Sequence, residues 1–490
     1  MSTDSGPRGV EPESRGGVEP EPTGSVEPQE WRRMHPITPA IKGWKVLVGV
    51  LVIASYQFGD DLRRAIELVE GGGWRIVLGV ITAVVVVGFG YSALAWRMTR
   101  YAVTDEAVHL QQGVLFRQQR QARLDRLQAV DVVQPLLARL TGLAELRLEV
   151  AGGSGSAVSL AFLREPEAEA VRAELLARAA GVRRAESEVQ APAAPEQPLF
   201  EVPMGRLVAA TLRSAATVGL VVVVIAMIVI AVVSRDLGPA FVLVPGLLGF
   251  VGFFWTRFNR GANFRAAISP DGIRLRHGLT EARAQTVPPG RVQALSITQG
   301  PLWRGPDWWR VEMNVAGYGG SSDSDHATEN VLLPVGTRDE AVLALWLVLP
   351  DLGVPDPRAV VEAGLSGAGG DVGYTTMPRR GRWLDLLAWR RRGVLVTDRA
   401  LLIRSGRFVR RLVVVPHERT QSLALQQGPI QRRLRVASMV VHSTPGPVSP
   451  TVDHLDEHVA ARLLAEQADR ARTARKVATP EQWMRRPEDA

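Results

Sequence analysis

The side chains best suited to chemistry at neutral pH are few and scattered: 490 residues contain eight His and no Cys. Without Cys there is no thiol nucleophile, disulfide framework, thiolate zinc site or iron–sulfur cluster. His454 and His458 stand four apart, with Asp453 and Glu457 beside them. On a helix that spacing puts both imidazoles on one face. Zinc needs a third ligand and a dry pocket, so the pair reads as a solvated helix face. The Ser321–His326 stretch (SSDSDH) offers two carboxylates without the spacing of a calcium loop, and reads as a flexible insertion. Gly71–Gly73 and Gly152–Ser156 lack the Lys-Ser/Thr that completes a phosphate loop. The expectation is no catalytic residue, no metal and no cofactor: a non-enzyme.

Arginine is the remaining chemistry. Lys occurs only at Lys42, Lys45 and Lys476, so nearly all positive charge is Arg, as in a GC-biased bacterial genome. Three clusters surround glycines: Arg117, Arg120 and Arg123; Arg274, Arg276 and Arg283; Arg404, Arg407, Arg410 and Arg411. Such clusters suit an anionic headgroup, at about 1 kcal/mol per Arg beside an anionic leaflet, or are solvated hairpins that aid solubility. Trp303, Trp308 and Trp309 lie within seven residues of one another, next to Arg310. Aromatic rings with Arg fit a membrane interface; the alternative is packing between domains or in a core. Trp383–Trp389 (WLDLLAW) followed by Arg390, Arg391 and Arg392 is a second amphipathic candidate.

These residues are positioned by apolar blocks. Mean hydropathy is +0.03 with 22% charged residues, which requires the apolar residues to be concentrated. Ile76–Trp96, Ser214–Ser234 and Leu237–Thr256 are free of charge, the first two bounded by Arg on both sides and the third followed by Arg257. About 20 such residues cross a hydrocarbon core of about 30 Å. Ile37–Phe58 is a fourth span, with Lys42 and Lys45 able to snorkel at its start, or else an interfacial helix. Arg and Lys gather outside each pair of spans, which puts both chain ends and nearly all polar mass in the cytoplasm. The last three spans contain no ionisable residue, which argues against a carrier or channel path. Residues 1–30 hold seven acids and two Arg among Pro, Gly and Ser, an acidic tail expected to be disordered. The basic remainder suits a membrane surface better than nucleic acid.

Three stretches align without a gap. Anchored on Arg126, Arg291 and Arg419, a Gly precedes each by thirteen residues (Gly113, Gly278, Gly406). Gln follows at two residues (Gln128, Gln293, Gln421) and at eight (Gln134, Gln299, Gln427), and Arg at thirteen (Arg139, Arg304, Arg432). Thr104, Ser269 and Thr397 also fall in register. The repeated Arg and Gln read as structural, bonding loop carbonyls. Alternation at Leu146/Leu148/Val150, Val311/Met313/Val315 and Met439/Val441/Ser443 marks half-buried strands. Helical patterns follow at Glu165–Ala179, Asp339–Val348 and Asp453–Arg470. Each unit is therefore five to seven strands closed by a helix.

The repeat resembles the bacterial pleckstrin-homology-like domain (bacterial PH domain 2 type), and the chain over about residues 31–472 is similar to the YdbT-like membrane proteins. Arg33-Met34-His35-Pro36 before the first span is part of the likeness. The resemblance implies a partly open β-barrel with a C-terminal capping helix, three times over, with the Gly hairpins bordering an end that receives anionic headgroups. Two departures stand out. Gly142 is replaced by Asp307 and Arg435 in the later units, and the third unit has WLDLLAW in place of a hairpin.

The fold class expected is α+β membrane protein, two transmembrane hairpins with three PH-like β-sandwich/barrel domains. The expected boundaries are 1–30 tail, 31–98 hairpin, 99–183 domain, 184–202 linker, 203–258 hairpin, 259–352 domain, 353–380 linker, 381–474 domain and 475–490 tail. The function expected is binding or scaffolding of lipids or envelope proteins at the cytoplasmic leaflet of a bacterial inner membrane. The rivals are a regulatory channel or transporter and a self-assembling structural protein.

Overall fold

The computed structural model describes residues 31–33, 38, 74–104, 106–113, 117–124, 127–150, 158–179, 197–236, 238–269, 272–287, 290–316 and 330–477. The 1–30 tail, nearly all of the Ile37–Phe58 span, the Ser321–His326 stretch, Gly152–Ser156 and Arg126 lie outside them.

In the first unit, β1 (Arg32–Arg33) precedes helix α1 (Trp74–Met98), and β2 (Arg100–Val103), β3 (Ala107–Gln112) and β4 (Gln118–Arg123) follow. Next come β5 (Leu127–Pro135), a short helix α2 (Leu136–Leu140), β6 (Leu143–Val150), β7 (Val158–Arg164) and α3 (Glu165–Ala179). The second unit has β8 (Gln197–Glu201), helices α4 (Met204–Leu212), α5 (Ala215–Ser234) and α6 (Val244–Gly261), then β9 (Arg265–Ser269), β10 (Gly272–His277) and β11 (Glu281–Val287). β12 (Val292–Gln299), β13 (Trp308–Val315), β14 (Val331–Thr337) and α7 (Arg338–Val348) complete it. Helix α8 (Pro357–Leu365) leads to the third unit: β15 (Thr375–Thr376), β16 (Gly393–Val396), β17 (Ala400–Ser405), β18 (Arg410–Pro416), β19 (Ser422–Gln426), α9 (Pro429–Arg433), β20 (Val436–His442), β21 (Thr451–Asp456) and α10 (Glu457–Val477).

Several elements differ from expectation. Residues 184–202 and 353–380, expected as linkers, contain β8, α8 and β15, so the first strand of each unit lies ahead of the helices that interrupt it. His454 is in strand β21, not on the last helix, because Thr451–Asp456 pairs with β20, with a register shift around His454, before the chain turns into α10 at Glu457. The Leu237–Thr256 stretch opens as a 3-10 segment, Gly238–Leu243, before α6 begins. Among the described residues one helix, Ala215–Ser234, is long and apolar enough to cross a membrane.

Each unit contributes to two sheets. The sheet orders are β1-β2-β3-β4, β7-β6-β5-β11-β10-β9-β8, β14-β13-β12-β18-β17-β16-β15 and β19-β20-β21. The last three strands of one unit thus continue, antiparallel, into the first four of the next. This explains the unbroken apolar runs of β17 and β18. Successive side chains point to opposite faces. Leu402, Leu412 and Val414 join a core with the second unit and α8, while Leu401, Ile403, Val413 and Val415 join the third unit's own core.

The repeat anchors are backbone devices. Gly113, Gly278 and Gly406 all have positive φ (117°, 108° and 74°). A Cβ at Gly278 or Gly406 would lie 1.9 Å from a carbonyl oxygen across the turn, that of Glu281 or Val409. Thr104, Ser269 and Thr397 each donate to the carbonyl three residues on, at 2.8, 3.2 and 3.0 Å. The position of Gly142, Asp307 and Arg435 keeps left-handed φ in every unit (66°, 51° and 50°), whatever the side chain.

Candidate functional site

Unit two carries the most developed site. Helices α5 and α6 approach closely at Gly219, where a Cβ would lie 3.1 Å from the Phe250 ring. The apolar faces of α5 are not covered by protein; Val222, Ile228 and Val233 are exposed. At the base of this pair, α4 lies against α6, and a Cβ on Gly261 would meet Leu207 at 2.8 Å. Beside them lies a cavity of about 300 Å³ lined by Leu207, Phe253, Arg257, Arg260, Trp303 and Arg310 among others. Its wall is apolar, and guanidinium groups are its main charged groups. On the other side of the same unit, Arg265, Arg274 and Arg276 line a hollow of about 470 Å³ with Glu201, which pairs with Arg265 at 3.1 Å.

The three tryptophans hold this base together rather than standing exposed. Trp303 is buried; its indole N–H donates to the Ala210 carbonyl at 3.0 Å, and Arg257 lies 6.0 Å over its ring. Trp308 is half-buried beneath Arg213, 5.2 Å away. Trp309 is fully buried and donates to Asp307 at 2.9 Å. Asp307 also accepts from Gln299 (2.8 Å) and Arg338 (2.9 Å). Partial burial pushes its carboxyl up, but the bonds from Arg338, Gln299 and Trp309 outweigh that and hold it below the usual range. Of the aromatic candidates only Trp383 stands well out, 67% exposed, with Arg382 over its ring at 5.2 Å; Leu386 and Leu387 beside it are exposed too. Trp389 is half-buried beneath Arg390.

The basic clusters divide. Arg117, Arg120 and Arg123 are exposed on or beside β4. Arg276 is exposed and Arg274 is buried on β10. In the third unit Arg407 and Arg411 are exposed, but Arg410 donates to Gln299 at 3.2 Å. Arg404 is 1% exposed. It donates to the carbonyls of Arg391 (2.9 Å), Ala363 (2.8 Å) and Gly369 and packs on the Tyr374 ring at 4.4 Å. Arg391 donates to Gly364, Leu365 and Gly367. Together the two bond the Ala363, Gly364 and Leu365 carbonyls at the end of α8, where helical carbonyls run out of partners, while Glu362 and Ala363 also accept from the Ser366 and Gly367 N–H groups. Arg404 is therefore part of the third unit's scaffold, and Arg392, paired with Asp385 and Asp453, is too. Burial pulls the pKa of Arg391 down to about 10, with Arg410, Arg404 and Arg304 adding repulsion.

Some of the repeated polar residues serve the seams between units and others bond within their own unit. Arg139 donates to the Leu279 carbonyl at 3.4 Å, and Arg304 to the carbonyls of Arg407 and Phe408, the latter at 2.9 Å. Gln299 is fully buried at the second seam. Gln293 is buried and bonds the Arg291 carbonyl at 3.4 Å. Gln427 reaches the Val436 carbonyl at 3.2 Å, Gln134 is half-buried and Gln421 exposed. The Gln128 side chain lies outside the described residues. Arg419 rests against Gly290 of the preceding unit, where a Cβ would lie 2.9 Å from its guanidinium. His454 bonds Gln431 at 2.9 Å and His458 is exposed; among the described residues no three His, Asp or Glu are grouped to hold a metal. Arg257 was legible only as the flank of an apolar run and Arg310 as the neighbour of the tryptophans, since their shared cavity depends on the third dimension.

A bacterial PH domain family model matches residues 48–179, 207–345 and 365–471. These matches cover most of the chain, so it belongs to the bacterial PH domain family. The chain is also 24% identical, over 286 residues, to the UPF0699 transmembrane protein YdbT of Bacillus subtilis (strain 168). That match spans 53% of this chain and 57% of YdbT, so the chain covers little more than half of that relative's length.

Proposed function

We propose that this bacterial PH domain protein is an integral, non-catalytic membrane protein that holds its PH-like modules against the cytoplasmic leaflet and binds anionic lipid headgroups there. The observation that carries it is the cavity at the base of α5 and α6, where Arg257, Arg260 and Arg310 face apolar walls beside helices whose apolar sides no protein covers. A headgroup phosphate suits the guanidinium groups and acyl carbons suit the walls. The transmembrane name of the YdbT relative supports reading α1 and the α5–α6 pair as bilayer spans, each pair with its Arg-rich ends in the cytoplasm. The exposed Trp383, Leu386 and Leu387 next to Arg382 and Arg390 would then touch the same surface.

The test uses the full chain in detergent with defined lipids, read by native mass spectrometry. Arg257→Gln with Arg310→Gln should weaken retention of phosphatidylglycerol about thirtyfold, taking about 1 kcal/mol per Arg, and leave phosphatidylcholine unchanged. Equal retention of both lipids by the unaltered chain would sink the proposal. Because the chain lacks Cys, Ser234→Cys should react with an impermeant thiol reagent in intact cells and Ser405→Cys should not; the reverse pattern would overturn the orientation.

A further inference from the structure

The two internal seams follow one rule. At the first, Gln134 of β5 stands opposite Ala282 of β11, four residues after Gly278. At the second, Gln299 of β12 stands opposite Arg410 of β18, four residues after Gly406. In each, the Arg five residues past that Gln crosses the seam to carbonyls just after that Gly, Arg139 to Leu279 and Arg304 to Arg407 and Phe408. The seam strands β11 (EARAQTV) and β18 (RRLVVVP) share little side-chain character. What recurs is the backbone ladder, its register and the arginine.

With three units, the same rule leaves one strand over at each end. Among the described residues β4 is the last strand of its sheet and β19 of its own. β4 is the counterpart of β11 and β18, and β19 of β5 and β12. The seam strand β12 is buried along almost its whole length, whereas Leu425 in β19 is 40% exposed and Gln118–Gln121 of β4 are exposed. Arg432 holds the place of Arg139 and Arg304; it is exposed, and its guanidinium makes no hydrogen bond among the described residues. An edge strand of this kind presents a row of backbone N–H and C=O groups to a further strand.

We propose that β19 of one copy pairs antiparallel with β4 of a second copy, in the register of the internal seams. Gln427 then faces Arg117, Leu425 faces Gln119 and Leu423 faces Gln121, and Arg432 reaches the Gly113 turn. The Arg117–Gln427 contact repeats that of Arg410 with Gln299. The polar character of β4 is no obstacle, since β11 carries Glu281, Arg283 and Gln285 and is paired all the same. The contact joins unlike surfaces, so it propagates from copy to copy into a ring or filament. It rests on the seams and is independent of lipid binding.

Directly opposed residues hold their Cα atoms about 4.5–5.5 Å apart, within the span of a disulfide. Two full-length chains, one with Leu425→Cys and one with Gln119→Cys, are co-expressed and their membranes oxidised. A cross-linked dimer is expected only when both are present, and a ladder when one chain carries both changes. Adding Arg432→Gln should lower the yield about tenfold or more, as for loss of one charged hydrogen bond, whereas Arg433→Gln should not. The proposal is overturned if the mixed membranes give no product and light scattering of the unaltered chain in detergent gives the mass of one copy. Dimers from Leu425→Cys alone overturn it as well, because they demand a symmetric contact. Equal yields from the Arg432 and Arg433 variants would show that the seam does not carry over between copies.

Discussion

Between β8 and β9 the second unit carries the apolar pair α5 and α6, while between β15 and β16 the third carries only the Trp383–Trp389 segment and its arginines. The two inserts occupy the same place in the same sheet pattern, yet their arginines do opposite things. Around the second unit, Arg257, Arg260 and Arg310 line a cavity, with Arg310 also paired to Glu312 at 2.8 Å. Around the third, Arg391 and Arg404 turn inward onto the end of α8, and Arg392 is taken by Asp385 and Asp453. In the third unit α8 packs against β17 and β18, and carbonyls at its end take donors from Arg391 and Arg404. The role of each arginine is thus set by which acceptors the fold brings to it.

The largest effect that separates the two regions should come from Arg404→Met. It removes the Arg404 donor from the carbonyls of Gly369 and Arg391, while the Ala363 carbonyl keeps the Gly367 N–H at 3.1 Å, and each buried orphan costs about 1–3 kcal/mol. A loss of about 3–5 kcal/mol is expected, with hydrogen exchange quickening in α8, β17 and β18 while α5 and α6 stay protected. Arg390→Met, at an exposed position, should change stability by less than about 0.5 kcal/mol. Equal effects from the two would break the distinction between structural and exposed arginines. A fragment starting at residue 381 would lose α8 and β15, so tests of the third unit belong in the full chain.

A second difference is in pH response. His277 is buried beside Phe264, with its Nδ1 bonded to the Arg260 carbonyl at 3.1 Å. Burial first, then the charges of Arg283 and Arg260, lowers its pKa from 6.5 to about 4. Below pH about 6.5 the unfolded chain takes up a proton that the folded chain refuses, so stability is lost as pH falls from about 6.5 toward about 4. The full shift corresponds to about 3 kcal/mol. His417 in the third unit is lowered in the same direction, chiefly by burial, and is held by Thr397 and Gln467. Denaturant melts read at Trp303, Trp308 and Trp309 should therefore shift to lower midpoint in acid. With His277→Gln the slope in that window should flatten; an unchanged slope would mean that another group titrates there.

The repeat itself was legible because its anchors are local. A turn that needs positive φ demands Gly113, Gly278 and Gly406 wherever it occurs, and the Thr104, Ser269 and Thr397 turns behave alike. The helix at Glu165–Ala179 was legible for the same reason. The seams were not, since nothing in the alternation of β5 or β12 says that the strand beside it belongs to another unit. Nor were β1 and β15, two residues each, which are too short for any periodicity. Arg404 and Arg407 have the same character in sequence; only the end of α8, forty residues away, makes one structural. The tryptophan group was legible as important, while its direction, inward onto Ala210 and Asp307, required the fold.

The smallest expected effect is the one that isolates a single position in the two units. Asp307 and Arg435 both sit at left-handed φ, 51° and 50°, where glycine stands in the first unit. For a side chain with a Cβ that conformation costs roughly 1 kcal/mol, partly offset by the extra freedom glycine gains in the unfolded chain. The Arg435 side chain is exposed, so Arg435→Gly should relieve strain and raise stability by about 0.5 kcal/mol. Asp307→Gly gains the same relief but deprives Gln299, Trp309 and Arg338 of their common acceptor. Because that carboxylate is partly solvated, water replaces some of the loss, and a net cost of about 1 kcal/mol is expected. Thermal melts of the two variants should thus move in opposite directions from the unaltered chain. If both stabilise, the Asp307 network contributes nothing beyond its geometry; if both destabilise, the left-handed turn is not strained in either unit.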